Sequence, residues 1–64
     1  MDDQLLTTKQ VAEMTGGVIK ESTIRFWRHI GDRGPRSFSL EGRVVYKRSD
    51  VEKWLNEQYE KASA

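Results

Sequence analysis

Apolar residues recur at helical spacing in three stretches of the chain, and two short alternating stretches lie between the second and third. The first helical stretch places Val11, Ala12 and Met14 on one side. Thr7 is its predicted N-cap, and Gln10 three residues on completes a T-x-x-Q capping box. Leu6 just before the cap is spaced to pack on Val11 as a hydrophobic staple. Thr15-Gly16-Gly17 ends this helix, since glycine readily takes the left-handed conformations of a helix exit. A second helix is expected from Lys20 or Glu21 to about Ile30, with Gly31 as its stop. On a 100° wheel Thr23, Ile24, Trp27 and Ile30 share one broad side. Ser22, Arg25, Phe26 and His29 share the opposite side, at i, i+3, i+4 and i+7.

Residues 31–36 read as a loop punctuated by Gly34-Pro35. Residues 37–40 and 43–46 read as short strands joined by Glu41-Gly42 in the two-residue spacing of a hairpin. Phe38 and Leu40 alternate with serines in the first, and Val44 and Tyr46 with Arg43 and Val45 in the second. A third helix opens at Ser49, whose S-x-x-E spacing with Glu52 predicts another capping box. Its apolar stripe is Val51, Trp54, Leu55 and Tyr59, and it is expected to reach Glu60 or Lys61. Residues 1–4 are expected to fray. Trp27, Tyr46 and Trp54 fall on inward positions and are expected in the core, because a small core needs its large side chains.

The order is helix, short turn, helix, hairpin, helix. Two helices joined by a short glycine-containing turn form a helix-turn-helix, whose second helix enters the major groove of DNA. The second helix here has an apolar back and a polar, cationic front. The hairpin tip, Gly42-Arg43, is small and carries a cation suited to a narrow minor groove.

Charge sharpens this picture. Residues 20–48 hold eight basic residues against three acidic ones, a net of +5. Residues 1–19 and 49–64 each carry a net of −2, so the overall +1 hides a basic middle between acidic ends. Such a middle points to a polyanion, or else to a solvated basic face. A chain of 64 residues makes one domain with a thin core, burying only about 60% of its unfolded surface. It has no cysteine, so neither disulfides nor thiolate metal sites brace it. Its apolar runs are too short to span a membrane, and no apolar signal segment precedes the first helix, so a cytoplasmic location in a bacterial host is expected. An enzyme reading finds no nucleophile–base set, a single histidine, no phosphate-cradling glycine loop and no metal-ligand cluster, so neither catalysis nor a cofactor is expected.

Taken in order, Leu6-Thr7-Thr8 before Val11-Ala12, Thr23-Ile24-Arg25-Phe26-Trp27, Pro35, Gly42-Arg43, Tyr46 and Ser49-Asp50-Val51-Glu52-Lys53-Trp54-Leu55 resemble the MerR-like winged-helix proteins of the excisionase and AlpA type. The pattern covers about residues 5–57. The fold implied is α+β and mainly helical: a MerR-like winged helix-turn-helix filling residues 1–64, with an ordered core over about 5–61. A chain of this length without an effector domain is similar to the phage excisionases, or recombination directionality factors. These bind attachment-arm DNA, bend it and bias a phage integrase towards excision.

The resemblance implies double-stranded DNA as partner. It also implies a tyrosine integrase and head-to-tail copies of the chain on tandem sites. It puts Ser22, Arg25, Phe26 and His29 on the groove side of the recognition helix, Thr23 near the backbone and Gly42-Arg43 at the wing tip. Two departures stand out: Phe26 occupies a place where some relatives have a basic residue, and Gly16-Gly17-Val18 lengthens the turn.

Each residue has a plainer alternative. Arg25 reads a base, clamps a phosphate or is solvated; Arg28, on the flank, holds a phosphate or a nearby carboxylate, or reads a base. Phe26 contacts thymine methyls, or belongs to the core if the helix is rotated. His29 makes a polar DNA contact or ends the helix in solvent, and Arg43 enters DNA or is an exposed turn cation. Lys9, Arg36, Lys47 and Arg48 are available to neutralise phosphates, or simply keep the chain in solution. Two rivals to the excisionase reading share the fold: a small AlpA-type transcription regulator, and a protein-interaction adaptor with no DNA role.

Overall fold

The computed structural model describes residues 3–63. Six elements follow one another: β1 (Leu5–Leu6), α1 (Thr8–Met14), α2 (Glu21–Ile30), β2 (Phe38–Leu40), β3 (Arg43–Lys47) and α3 (Arg48–Ser63). The strands form one antiparallel sheet in the order β1-β3-β2. This is the expected winged helix-turn-helix, mainly helical, with one strand more than the sequence predicts. β1 is only two residues long, Leu5 opposite Lys47 and Leu6 opposite Tyr46. So short a strand leaves no alternation to read.

The core is formed by Leu6, Val11, Ala12, Ile24, Tyr46 and Val51, with Met14, Ile19, Val44 and Leu55 packed against it. Each element contributes where its local signals place it. The Thr7 side chain accepts the Gln10 N–H, the Gln10 side chain accepts the Thr7 N–H, and both bonds of the capping box form. Leu6 and Val11, the staple pair, are both buried. Gly31 takes the left-handed cap of α2. Glu41 and Gly42 both have positive φ, 51° and 79°, as a two-residue hairpin loop of this hand requires. The Thr15 hydroxyl donates to the Ala12 carbonyl at 2.6 Å and accepts the Ile19 N–H at 3.1 Å, so one side chain clamps the turn between α1 and α2. That clamp steadies the lengthened Gly16-Gly17-Val18 turn. α1 packs on both α2 and β3, which ties the second helix to the wing.

Several expectations need correction. The second capping box does not form. α3 begins at Arg48, directly after β3, and Glu52 accepts the Arg48 Nε–H at 3.0 Å instead. The start of α3 is capped from the far end of the chain. Asp3 accepts the Ser49 backbone N–H at 3.1 Å and its hydroxyl at 2.7 Å. Gln4 accepts the Arg48 N–H through its carbonyl at 2.8 Å and the Arg48 guanidinium through its side chain at 3.0 Å. Asp3 and Gln4 are therefore a docked strap and not a frayed lead; the rest of that expected lead, Met1 and Asp2, lies outside the described residues. α3 also runs past Lys61, to Ser63.

Ile30 and Tyr59, assigned to inward stripes, are 44% and 70% exposed. α3 meets the body through Val51, Trp54 and Leu55 and then runs beyond the sheet, so the stripe outlasts its partner surface. Trp27 and Trp54 are half-buried and not core. They meet edge to face, centroids 5.9 Å apart at 64°. Phe38 and Leu40 are exposed on the outer face of the sheet, opposite Val45 and Arg43.

Candidate nucleic-acid interface

α2 projects its predicted front into solvent. Ser22, Arg25, Phe26 and His29 are all exposed, with Ile24 buried behind them. Helical spacing puts the four on one stripe. Phe26 is 59% exposed, so the alternative of a rotated helix with Phe26 in the core does not hold. Thr23 is half-buried at the edge of this stripe, and Arg28 is exposed on its flank.

Arg25 pairs with Glu21 one turn earlier. A surface pair at i,i+4 is worth about 0.3–0.5 kcal/mol. A bidentate arginine–guanine contact is worth about 1–3 kcal/mol. The intrahelical pair thus holds Arg25 in place without competing seriously with a base.

At the other end of the site, Gly42 and Arg43 are exposed at the hairpin tip, with Arg43 paired to Leu40 across the strands. Lys47 does not join them. It sits at the opposite end of β3 beside Leu5, four residues from Arg43, or roughly 13 Å along an extended strand. It lies instead near Asp3, whose carboxyl it helps to hold below the ordinary carboxylate range; the larger causes are the two hydrogen bonds from Ser49. Arg48 is likewise occupied, by Glu52 and Gln4, while Lys9 and Arg36 are exposed.

Three residues position this surface in ways the sequence reading did not foresee. Thr15 sets the turn, Asp3 anchors α3, and Arg33 lies over the Trp27 ring at 4.8 Å. None belongs to a periodic pattern. Only the S/T and Asx habit of bonding nearby backbone hints at Thr15.

A groove of about 700 Å³ walled by the α1–α2 turn, the loop after α2 and α3 holds none of the predicted DNA-contacting residues. Arg28 apart, those residues stand exposed or half-exposed on the helix and wing surfaces, suited to entering a groove and not to enclosing a small ligand. Among the described residues no group of His, Cys, Asp and Glu is placed to hold a metal ion, and no helix is long and apolar enough to cross a membrane.

Comparison with known proteins agrees with this geometry. A family model described as a helix-turn-helix domain matches residues 5–59. No curated protein and no solved structure matches the chain.

Proposed function

The chain belongs to the helix-turn-helix domain family of DNA-binding proteins, and on that footing we propose that it is a phage excisionase, a DNA-bending partner of a tyrosine integrase. The observation that carries the reading is the exposed α2 stripe of Ser22, Arg25, Phe26 and His29 together with an exposed arginine at the wing tip, Arg43.

α2 lies in the major groove. Arg25 reads a base edge, Phe26 meets thymine methyls, and Ser22 and His29 add polar contacts. Thr23 and Arg28 flank the stripe and take phosphates. Gly42 lets the tip approach the flanking minor groove, and Arg43 enters it. Lys47, set apart from the tip, serves the backbone. One such module buries about 600–1,000 Å² of protein, modest for specific binding. Head-to-tail copies on tandem sites add affinity and hold the duplex in a bend. Bending costs about 1–6 kcal/mol, repaid by the contacts it permits. The bend brings integrase-binding arms into the excisive arrangement.

The test has two stages. Affinity for duplex attachment DNA is measured against salt; log affinity is expected to fall against log salt with a slope of about −0.9 per phosphate contacted. A flat response favours a protein-interaction adaptor. A permuted-fragment bending assay with and without integrase then follows. A bend that raises excision is the expected result. Specific binding without bending or excision would assign the chain to the AlpA-type regulators.

A further inference from the structure

We propose that a cleft at the end of α2 clamps one phosphate of the duplex through Arg28, Arg33 and Arg36, a contact separate from the base-reading stripe and the wing tip. The proposal rests on the DNA-binding reading above and names a site of its own.

The cleft, about 370 Å³, lies between the last turn of α2 and the loop running into β2. Three arginines line it, against one acidic residue, Asp32. Among the described residues neither Arg28, Arg33 nor Arg36 forms a salt bridge. The carbonyl end of α2 also faces this region and opposes an anion, but a helix end counts for only about half a charge. Against a net of two positive charges it loses. Planar guanidinium forks match the oxygens of a phosphate, and a diester bridging two of them gains charge-assisted hydrogen bonds.

The cleft is also shaped in advance. Arg33 is parked over the Trp27 ring at 4.8 Å, and a stacked guanidinium keeps its N–H edge free to donate. The loop is pressed onto the same ring, since a Cβ on Gly34 would lie 3.0 Å from Trp27 Cε3. Pro35 is buried next to it. An arginine held as Arg33 is loses less freedom on binding than a free surface arginine does. Position decides the kind of anion. Arg28 adjoins His29 at the end of the DNA-facing stripe, so the cleft opens beside a helix already seated on a duplex, where backbone phosphates flank the groove.

The test is the salt dependence of duplex binding for the Arg33→Gln/Arg36→Gln double variant. The expected slope is shallower than wild type by about 0.9, one phosphate. Affinity falls equally for the specific site and for random duplex, so the ratio between them holds. Arg33→Lys/Arg36→Lys, which keeps the charge, retains most of the slope. Melting curves check the fold; should the double glutamine variant be unfolded, Arg36→Gln alone is read, since Arg36 is exposed. A folded variant with the wild-type slope overturns the clamp and leaves the DNA-binding reading standing. A wild-type chain that fails to bind duplex overturns both. Inorganic phosphate is the second arm. It is expected to compete with duplex no better than its ionic strength dictates; saturation of the cleft by micromolar inorganic phosphate would mark a free-anion site and overturn the duplex assignment.

Discussion

Gly34→Ala tests how tightly the loop after α2 is held. Gly34 sits at φ 88°, where an added Cβ would stand 3.0 Å from Trp27 Cε3 and 3.4 Å from Trp27 Cβ. An L-residue forced into the left-handed region costs about 1–2 kcal/mol. The steric part adds to it, because carbon atoms prefer separations of about 3.5–4.0 Å. Trp27 has little room to retreat: Trp54 meets its ring with centroids 5.9 Å apart, and Arg33 covers it at 4.8 Å. Overpacking of this kind costs about 1–3 kcal/mol, for a total of about 2–5 kcal/mol. A chain of 64 residues has only roughly 3–10 kcal/mol of stability to lose. At roughly 4–8 °C per kcal/mol, the melting temperature should drop by about 10 °C or more. Gly42→Ala is the control. Its φ is 79°, but nothing lies within 4 Å of the added Cβ, so it carries the backbone cost alone. Thermal unfolding followed by circular dichroism and tryptophan fluorescence compares the two. Equal drops, or an unchanged Gly34→Ala melt, would refute the claim that the loop is wedged against Trp27.

Three further outcomes are expected. Arg25→Ala and Arg43→Ala should each weaken duplex binding in a gel shift and leave the melting curve within about 0.5 kcal/mol of wild type, as surface changes do; unchanged affinity in both removes these residues from the interface. Tyr46→Phe should raise the melting temperature, since the Tyr46 hydroxyl is buried without a partner among the described residues and such a group costs about 1–3 kcal/mol; a lower melting temperature would mean the hydroxyl is satisfied after all. Asp3 has its pKa lowered in the fold, chiefly by the Ser49 side-chain and backbone hydrogen bonds, so its contribution is full above the unfolded value of 3.8 and is lost as pH falls through the folded one. Melting temperature should therefore drop on acidification below about pH 4, less steeply in Asp3→Asn; identical acid profiles would show that Asp3 contributes nothing.

What the sequence made legible was local. The Thr7–Gln10 box and the Glu41-Gly42 hairpin each depend on residues within a few positions of one another, and both form as expected. The polar stripe of α2 was legible because one buried residue, Ile24, fixes the rotation of a whole helix. The Ser49–Glu52 spacing misled because Asp3, 46 positions away, competes for the same donors, and pattern carries no trace of such a partner. Tyr59 misled because periodicity describes a helix and not the extent of the surface it packs on. Arg28, Arg33 and Arg36 share a cleft only because the loop folds back on Trp27, so no spacing rule gathers them.

The strap at Asp3 and Gln4 bears on how the protein comes into being during synthesis. Its partners, Arg48 and Ser49, leave the ribosome after both helices of the DNA-reading motif, so a nascent chain cut short before them has nothing to fasten its beginning to. A fragment holding the two motif helices alone also lacks Tyr46 and Val51, two of the six members of the core cluster to which those helices themselves supply Val11, Ala12 and Ile24. The smallest unit that holds the reading motif therefore reaches from Asp3 to at least Val51, and attempts to trim it to a bare reading head should fail.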